Sequence, residues 1–322
     1  MADRISQLYG NISEPLTGKA LGYVPTGYIG TRVLPLVTFN SLRVVLPAYN
    51  KEMFEVPNDQ VIRRPLYGLP HTVSVTRTLN EYTLDEVTLG AKIDVRESRA
   101  ASLSAVPWDP FERAAMLAKR LVMNAREKSI ADLLAGTTFG YTLNIVAGSE
   151  WDVKVSGNSV SDPVEHILKS IEEVRKLIGV RPNVLVLGAD AWRAAQSNTN
   201  VHKTILGVEA PGYPTFEQFY RFFGFEEGYL GDGMYWDGSA FKPFWTDSAY
   251  LLYRPASGLG NEEPSFGFTA IASWGKSGDQ EVLGVVTRWE VNPYVTEIDY
   301  TEFVKPWVAM PQAGAVITNC AA

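Results

Sequence analysis

The stretch Asp109–Gly136, DPFERAAMLAKRLVMNAREKSIADLLAG, decides how the rest of the chain is read. Asp109 can cap the first unpaired amides of a helix, Pro110 suits the first helical position, and Glu112 stands where a capping box needs it. Gly136 supplies a stop after Ala135. Between those ends Phe111, Ala114, Ala118, Leu121, Val122, Ala125 and Leu133 fall on one face, with Arg113, Lys119, Arg120, Arg126, Glu127 and Asp132 on the rest. At about 1.5 Å per residue this helix is about 40 Å long, more than twice the usual length. Its apolar face must lie on something equally long, and the recurring alanines let a sheet of long strands approach closely.

Composition narrows the class. The 322 residues are 46% hydrophobic and 20% charged, ordinary globular usage that points neither to disorder nor to a membrane protein. A net charge of -7 argues against a surface built to wrap nucleic acid, and the longest basic runs are the pairs Arg63-Arg64 and Lys119-Arg120. One cysteine, Cys320, excludes an internal disulfide and a cysteine zinc site and fits a reducing compartment. Met1 to Asn11 has no apolar leader core, and no run approaches the ~18 apolar residues of a membrane span, so a soluble, non-exported protein is expected.

Met1 to about Thr31 mixes glycine, proline and isolated apolar residues with no helical period. Val33–Val37 and Leu42–Pro47 read as extended segments whose prolines keep them out of the middle of a sheet. Ala48 to Leu79 reads as a long two-stranded loop, and a projecting hairpin is only marginally stable by itself. Val87, Leu89, Ala91, Ile93 and Val95 then alternate cleanly with polar residues, a strand leading through Pro107 into the long helix. Tyr141–Val146 and Trp151–Val155 read as a short strand pair. Asp162, Pro163 and Glu165 start a second helix, with Val164, Ile167, Leu168, Ile171, Val174 and Ile178 at helical spacing and Gly179 as its stop. Val184–Leu187 is a buried strand followed by a helix through Trp192 to Gln196, and Thr215 with Gln218 caps a further helix. Tyr250–Tyr253, Phe266–Trp274, Val282–Val291 and Tyr294–Val304 are strands, the last three being candidates for the sheet across the long helix. The class is α+β.

No catalytic constellation emerges. His71, His166 and His202 have no spacing that puts two metal ligands on one helical face, and His166 reads as a surface residue. There is no G-x-S-x-G elbow. Gly258–Glu263 lacks the third glycine and the helix of a dinucleotide site, and Gly228–Gly238 reads as tight turns between strands in place of a calcium loop. No cofactor, metal or enzymatic activity is expected.

Several phrases, in order, carry a resemblance: Tyr28-Ile29-Gly30-Thr31-Arg32-Val33-Leu34-Pro35; Trp151-Asp152 with Ser161-Asp162-Pro163; Gly179-Val180-Arg181-Pro182-Asn183-Val184-Leu185-Val186-Leu187-Gly188 with Trp192; and Pro264-Ser265-Phe266-Gly267-Phe268-Thr269. Together they resemble the major capsid proteins of tailed double-stranded DNA phages, the Hong Kong 97-type fold. The resemblance implies an N-terminal arm at 1–48, an extended loop at 49–79, and a peripheral domain at 80–160 whose spine helix is 109–135. It further implies an axial domain at 161–257, peripheral-domain strands at 258–302, and a C-terminal return to the axial domain at 303–322.

Such subunits form pentamers and hexamers of an icosahedral shell around packaged DNA, which explains why an arm and loop rich in apolar residues are tolerable. Arg32, Leu34, Lys51, Arg63, Arg64 and Tyr67 are the expected inter-subunit contacts. A separate scaffolding protein is expected because the arm-like sequence begins almost at Met1, together with a portal and sparse, non-specific contact with DNA. Lys51 has no evident asparagine partner for an isopeptide bond, so locking is expected to be non-covalent. The expected location is the virion, after synthesis in the host cytoplasm. The alternatives are an encapsulin-type compartment and a cytosolic α+β enzyme or binding protein.

Overall fold

Asp109 caps the long helix. Its backbone is extended, at φ -94° and ψ 110°, and its carboxylate accepts from the Phe111 N–H at 2.9 Å. Two details differ from expectation. Glu112 is engaged by Lys19, whose Nζ donates to it at 2.5 Å. Gly136 is the last helical residue, and the stop is Thr137, whose extended backbone breaks the ladder while its hydroxyl donates to the Leu133 carbonyl at 2.6 Å.

The computed structural model describes residues 12–22, 27–48, 78–103, 108–207, 212–255, 265–277 and 280–322. In chain order the main elements are α1 (Glu14–Gly22), α2 (Gly30–Val33), β1 (Leu36–Phe39), β2 (Arg43–Ala48), β3 (Thr78–Thr83), β4 (Asp85–Asp94) and α3 (Val95–Leu103). The long helix α4 (Pro110–Gly136) follows, then β5 (Tyr141–Asn144), α5 (Pro163–Ile178), β6 (Val184–Gly188), α6 (Ala189–Ser197), α7 (Thr199–Ile205) and α8 (Phe216–Phe222). The chain ends through β7 (Glu227–Gly231), β8 (Met234–Trp236), β9 (Phe241–Pro243), β10 (Ala249–Leu252), β11 (Gly267–Ala272), β12 (Val285–Asn292), β13 (Val295–Val308) and β14 (Gly314–Thr318).

The first sheet is built on β13. One of its edges carries β4 antiparallel, from Val295 opposite Asp94 to Val304 opposite Asp85. β12 and β11 also pair antiparallel with β13, and β1 adds to β11 in parallel, an outer position compatible with the proline before it. The second sheet runs β5–β14–β10–β6–β7, with β6 buried along its whole length as its apolar sequence requires. Tyr141–Asn144 therefore pairs with the C-terminal β14, while Lys154–Val155 pairs with Asn158–Ser159, so the expected strand pair is not formed. β2 and β3 form a separate antiparallel pair.

α4 serves both sheets. Ala114, Ala115, Ala118 and Val122 pack with Ile93, Val286, Ile298 and Tyr300 of the first sheet, whereas Ile130, Ala131 and Leu134 join the core of the second. The expected face was partly wrong: Leu121 is 42% exposed and Ala125 is exposed, while Lys119, Arg126 and Glu127 are buried. A rod lying between two layers has no single dry stripe, and its polar side chains are buried where partners are waiting.

Four of the described helices escaped the sequence reading: α1, α2, α3 and α7. α1 contains Pro15 and Gly18 and is held by tertiary contacts: Ser13 N donates to Val286 O at 2.9 Å, and Lys119 Nζ to Ala20 O at 2.5 Å. α3 interrupts the path from strand to long helix, and Ala101 is its buried residue. α5 follows its periodicity, with Leu168 alone of the six predicted positions exposed, and Gly179 takes the left-handed conformation at φ 75°.

The alanine face predicts an asymmetry. Ala118→Leu, at a position 1% exposed, should cost about 1–3 kcal/mol by overpacking the helix against the sheet. Ala125→Leu should stay within about 0.5 kcal/mol. Urea-unfolding midpoints of the two variants check this.

Candidate functional site: a buried carboxylate joining three segments

Glu127 projects from α4 into the interior and is 3% exposed. One of its oxygens, Oε1, accepts from Ile29 N at 3.0 Å and from the indole Nε1 of Trp245 at 2.8 Å. Oε2 accepts from Gly30 N at 2.8 Å. Three N–H donors from two distant segments thus meet one carboxylate on a third, and charge-assisted bonds of this kind are about twice as strong as neutral ones. Glycine at position 30 leaves the carboxylate its place: a Cβ there would lie 2.6 Å from Glu127 Oε2, which would have to shift.

Aromatic packing surrounds this point. Tyr28 donates its hydroxyl to Asn124 of α4 and meets Phe244 edge-on at 5.9 Å. Phe244 packs on Tyr235 at 5.1 Å, and Lys128 Nζ lies 5.2 Å from the Tyr235 ring centre. The segment 27–35 is therefore wedged between α4 and the second sheet. Arg254 extends the junction by donating to the Arg32 carbonyl and pairing with Glu227.

The preceding residue of α4, Arg126, pairs with Glu302 of β13 at 3.2 Å, both nearly inaccessible to solvent. Burial pushes the Glu302 carboxyl up, opposed by Arg126 and Lys119. Burial, helped by the Arg126 charge, lowers Lys119 to about 8.

The predicted contact residues fare differently. Leu34 is 0% exposed within the subunit's own core, so its side chain has no surface to offer a neighbour. The apolar run around it reads the same whether sister chains or its own chain cover it, which is why sequence could not separate the two. Arg32 is exposed. Lys51, Arg63, Arg64 and Tyr67 lie outside the described residues, as does His71. Glu127 was placed on the solvent side of the helix, and nothing in a single heptad distinguishes it from a solvated glutamate.

His166 is not a plain surface residue. The buried Trp151 donates its indole N–H to His166 Nδ1 at 3.1 Å, and burial lowers the imidazole below its usual pKa. His202 Nε2 lies 2.6 Å from the Gln196 carbonyl. Burial pushes the Cys320 thiol well up, away from the range of a reactive nucleophile. Among the described residues no group of three or more histidine, cysteine or acidic side chains is arranged to hold a metal ion, and no helix is long and apolar enough to cross a membrane.

This architecture, a long helix shared by a sheet carrying an extended strand pair and a second mixed sheet, is the Hong Kong 97-type fold of phage capsid subunits. Among curated proteins, the major capsid protein of Burkholderia phage BcepMu is 27% identical over 276 residues, covering 83% of this chain and 85% of that one. Among solved structures, a phage-related protein from Bordetella bronchiseptica matches with TM-score 0.70 at 20% identity, covering 96% of this chain and 98% of that one. The putative capsid protein of a prophage of E. coli CFT073 matches with TM-score 0.55 at 11% identity over 97% of this chain and 99% of that one. No family model matches the chain. The chain thus resembles a phage major capsid protein in both sequence and fold, as its local phrases imply.

Two outcomes are expected at this site. Trp245→Phe, which removes one donor and leaves the carboxylate its two backbone partners, should cost about 1–3 kcal/mol; Glu127→Ala, which orphans three buried N–H groups, should cost clearly more. Denaturant titration of both variants checks the order. For His166 the folded state binds fewer protons than the unfolded chain between its lowered pKa and 6.5, so stability present above that window is lost as pH falls through it. Melting temperature should drop on acidification below about pH 6.5, less so in His166→Gln.

Proposed function

We propose that this chain is the structural subunit of an icosahedral phage head, assembling into pentamers and hexamers that enclose packaged double-stranded DNA. The observation that carries the reading is the coincidence of a fold match over 96% of the chain with a sequence match over 83% of it to a protein described as a major capsid protein. The role is structural, and the location is the capsid of the virion after synthesis in the host cytoplasm. On this reading the first sheet with α4 is the peripheral domain and the second sheet the axial domain, with 1–48 as arm and 49–79 as the loop laid over a neighbour.

The junction at Glu127 supports that division of labour. It fixes the arm's residues 29 and 30 to the long helix, at the carboxylate that also holds Trp245 from the loop before β10, so the exit of the arm has a defined position. A subunit that must meet sister copies at fixed angles needs such a point. Arg32, Lys51, Arg63, Arg64 and Tyr67 remain the contacts we assign to neighbouring subunits. A separate scaffolding protein and a portal complete the partner set, and contact with the genome is weak because the chain carries a net charge of -7.

Electron microscopy and light scattering of the purified protein test the reading. Closed shells are expected, DNA-filled when made in the infected host; small enzyme-filled shells would favour a compartment protein, and a persistent monomer or dimer would overturn both. Arg63→Glu combined with Arg64→Glu should block assembly while leaving the subunit's melting temperature within about 2 °C.

A further inference from the structure

We propose that the β8–β9 hairpin of one subunit docks Trp236 and Phe241 into the cavity beside His166 of the next copy of this chain. The inference rests on the shell reading and names one contact that would close a ring. The hairpin is a well-defined knob. β8 and β9 pair from Met234 opposite Pro243 to Trp236 opposite Phe241, and Asp237 fixes the turn by accepting from Ser239 N and Ala240 N, each at 2.8 Å. Side chains alternate along β8: Tyr235 packs inward on Phe244 at 5.1 Å, while Met234 and Trp236, with Phe241 of β9, are 54%, 57% and 66% exposed. Trp236 and Phe241 meet edge-on at 5.2 Å, so what they expose is a single aromatic unit.

The hole lies across the second sheet. Ile145, Val146, Val160, Asp162, Glu165 and His166 are among the residues that line a cavity of about 420 Å³. That is within the range of about 300–1,000 Å³ in which small ligands bind, so an aromatic side chain has room. Trp151 donates to His166 Nδ1, which leaves the neutral ring its proton on Nε2, and the carboxylates of Asp162 and Glu165 make the wall negative. A negative wall is complementary to the positive edges of aromatic rings and to an indole N–H. Within this chain Trp245 and Glu127 already make that pairing at 2.8 Å.

Placement identifies the partner. Within the second sheet β5 and β7 are separated by β14, β10 and β6, four strand spacings or about 19 Å. β5, β14, β6 and β7 run parallel, with β10 opposed. The cavity follows the C-terminal end of β5 and the hairpin follows the C-terminal end of β7, so hole and knob stand at the same height on opposite flanks. A hairpin of three-residue strands, about 10 Å long, does not reach across to its own cavity. A copy turned about an axis along the strands brings knob to hole with no rise, and a heterologous contact repeated without rise closes into a ring. The area is adequate as well. At about 150–250 Å² per aromatic side chain, the exposed parts of Trp236, Phe241 and Met234 come to about 300–400 Å². One partner of a standard interface contributes about 450 Å² of apolar surface.

Paired cysteines test the contact with little background, because the chain's single cysteine, Cys320, is buried. Trp236→Cys mixed with Val160→Cys before assembly, then treated with a short bis-thiol reagent, should give covalent dimers on a non-reducing gel, and neither variant alone should. One chain carrying both substitutions should give a ladder that stops at five or six subunits. Trp236→Ala should raise the concentration needed for assembly by about tenfold or more, and Trp236→Phe by much less. The melting temperature of the unassembled subunit should stay within about 2 °C in both, because the ring is exposed there. Shells that form normally with no cross-link in the mixture overturn the contact and leave the shell reading standing. Dimers from Trp236→Cys alone overturn it in favour of knob meeting knob. A melting temperature that falls in step with lost assembly overturns the docking role of Trp236. A wild-type protein that never associates overturns the shell reading and the contact with it.

Discussion

A buried carboxylate held by three N–H donors joins this subunit where its parts meet. Glu127 is buried against two backbone N–H groups and one indole N–H, and among the described residues its charge is met by these three hydrogen bonds and by no ion pair. That choice has a geometric content that an ion pair would lack. Backbone amides are fixed by the chain's path, so the carboxylate specifies where residues 29 and 30 run and how the Trp245 ring lies, each to within hydrogen-bond tolerance. The neighbouring Arg126–Glu302 pair does the complementary task of pinning α4 to β13. Buried ion pairs contribute little net stability on average, and this one is better regarded as fixing the register between helix and sheet.

The long helix has to satisfy two cores at once. Its first half is made of alanines because the sheet lies close, and its second half of Ile130, Ala131 and Leu134 because it enters a deeper core. Polar groups sit on the buried side where the two cores and the segment 27–35 converge, which is also where the chain would otherwise leave orphaned polar groups: the N–H groups at the start of α2, the Ala20 carbonyl and the Trp245 indole. Tertiary demand, not helix propensity, placed Lys119, Arg126 and Glu127.

Much of this was legible from local chemistry. The Asp-Pro starts of α4 and α5, the capping box Thr215–Gln218, the left-handed Gly179 and the all-apolar β6 are short-range signals, and each was read correctly from a few residues. What failed was long-range. α1 exists because Lys119, Val286 and Glu112, far along the chain, hold it. Tyr141–Asn144 looked like half of a local hairpin and found its partner in β14. Glu127 was misjudged because burial was inferred from residue type, while the partners that decide it lie about a hundred positions distant. The general fold class and its shell-building relatives were accessible, because a run of phrases in fixed order carries more information than any one of them.

The interleaving of the two sheets has a kinetic consequence. β14, at Gly314–Thr318, sits between β5 and β10, and β13 joins β4 to β11 and β12. Neither sheet can close before β13 and β14 have been made, so contacts of high sequence separation must form late and together. A chain elongated only as far as β12 therefore has neither sheet complete, and α4 waits for β13 and β14 before both of its cores can form.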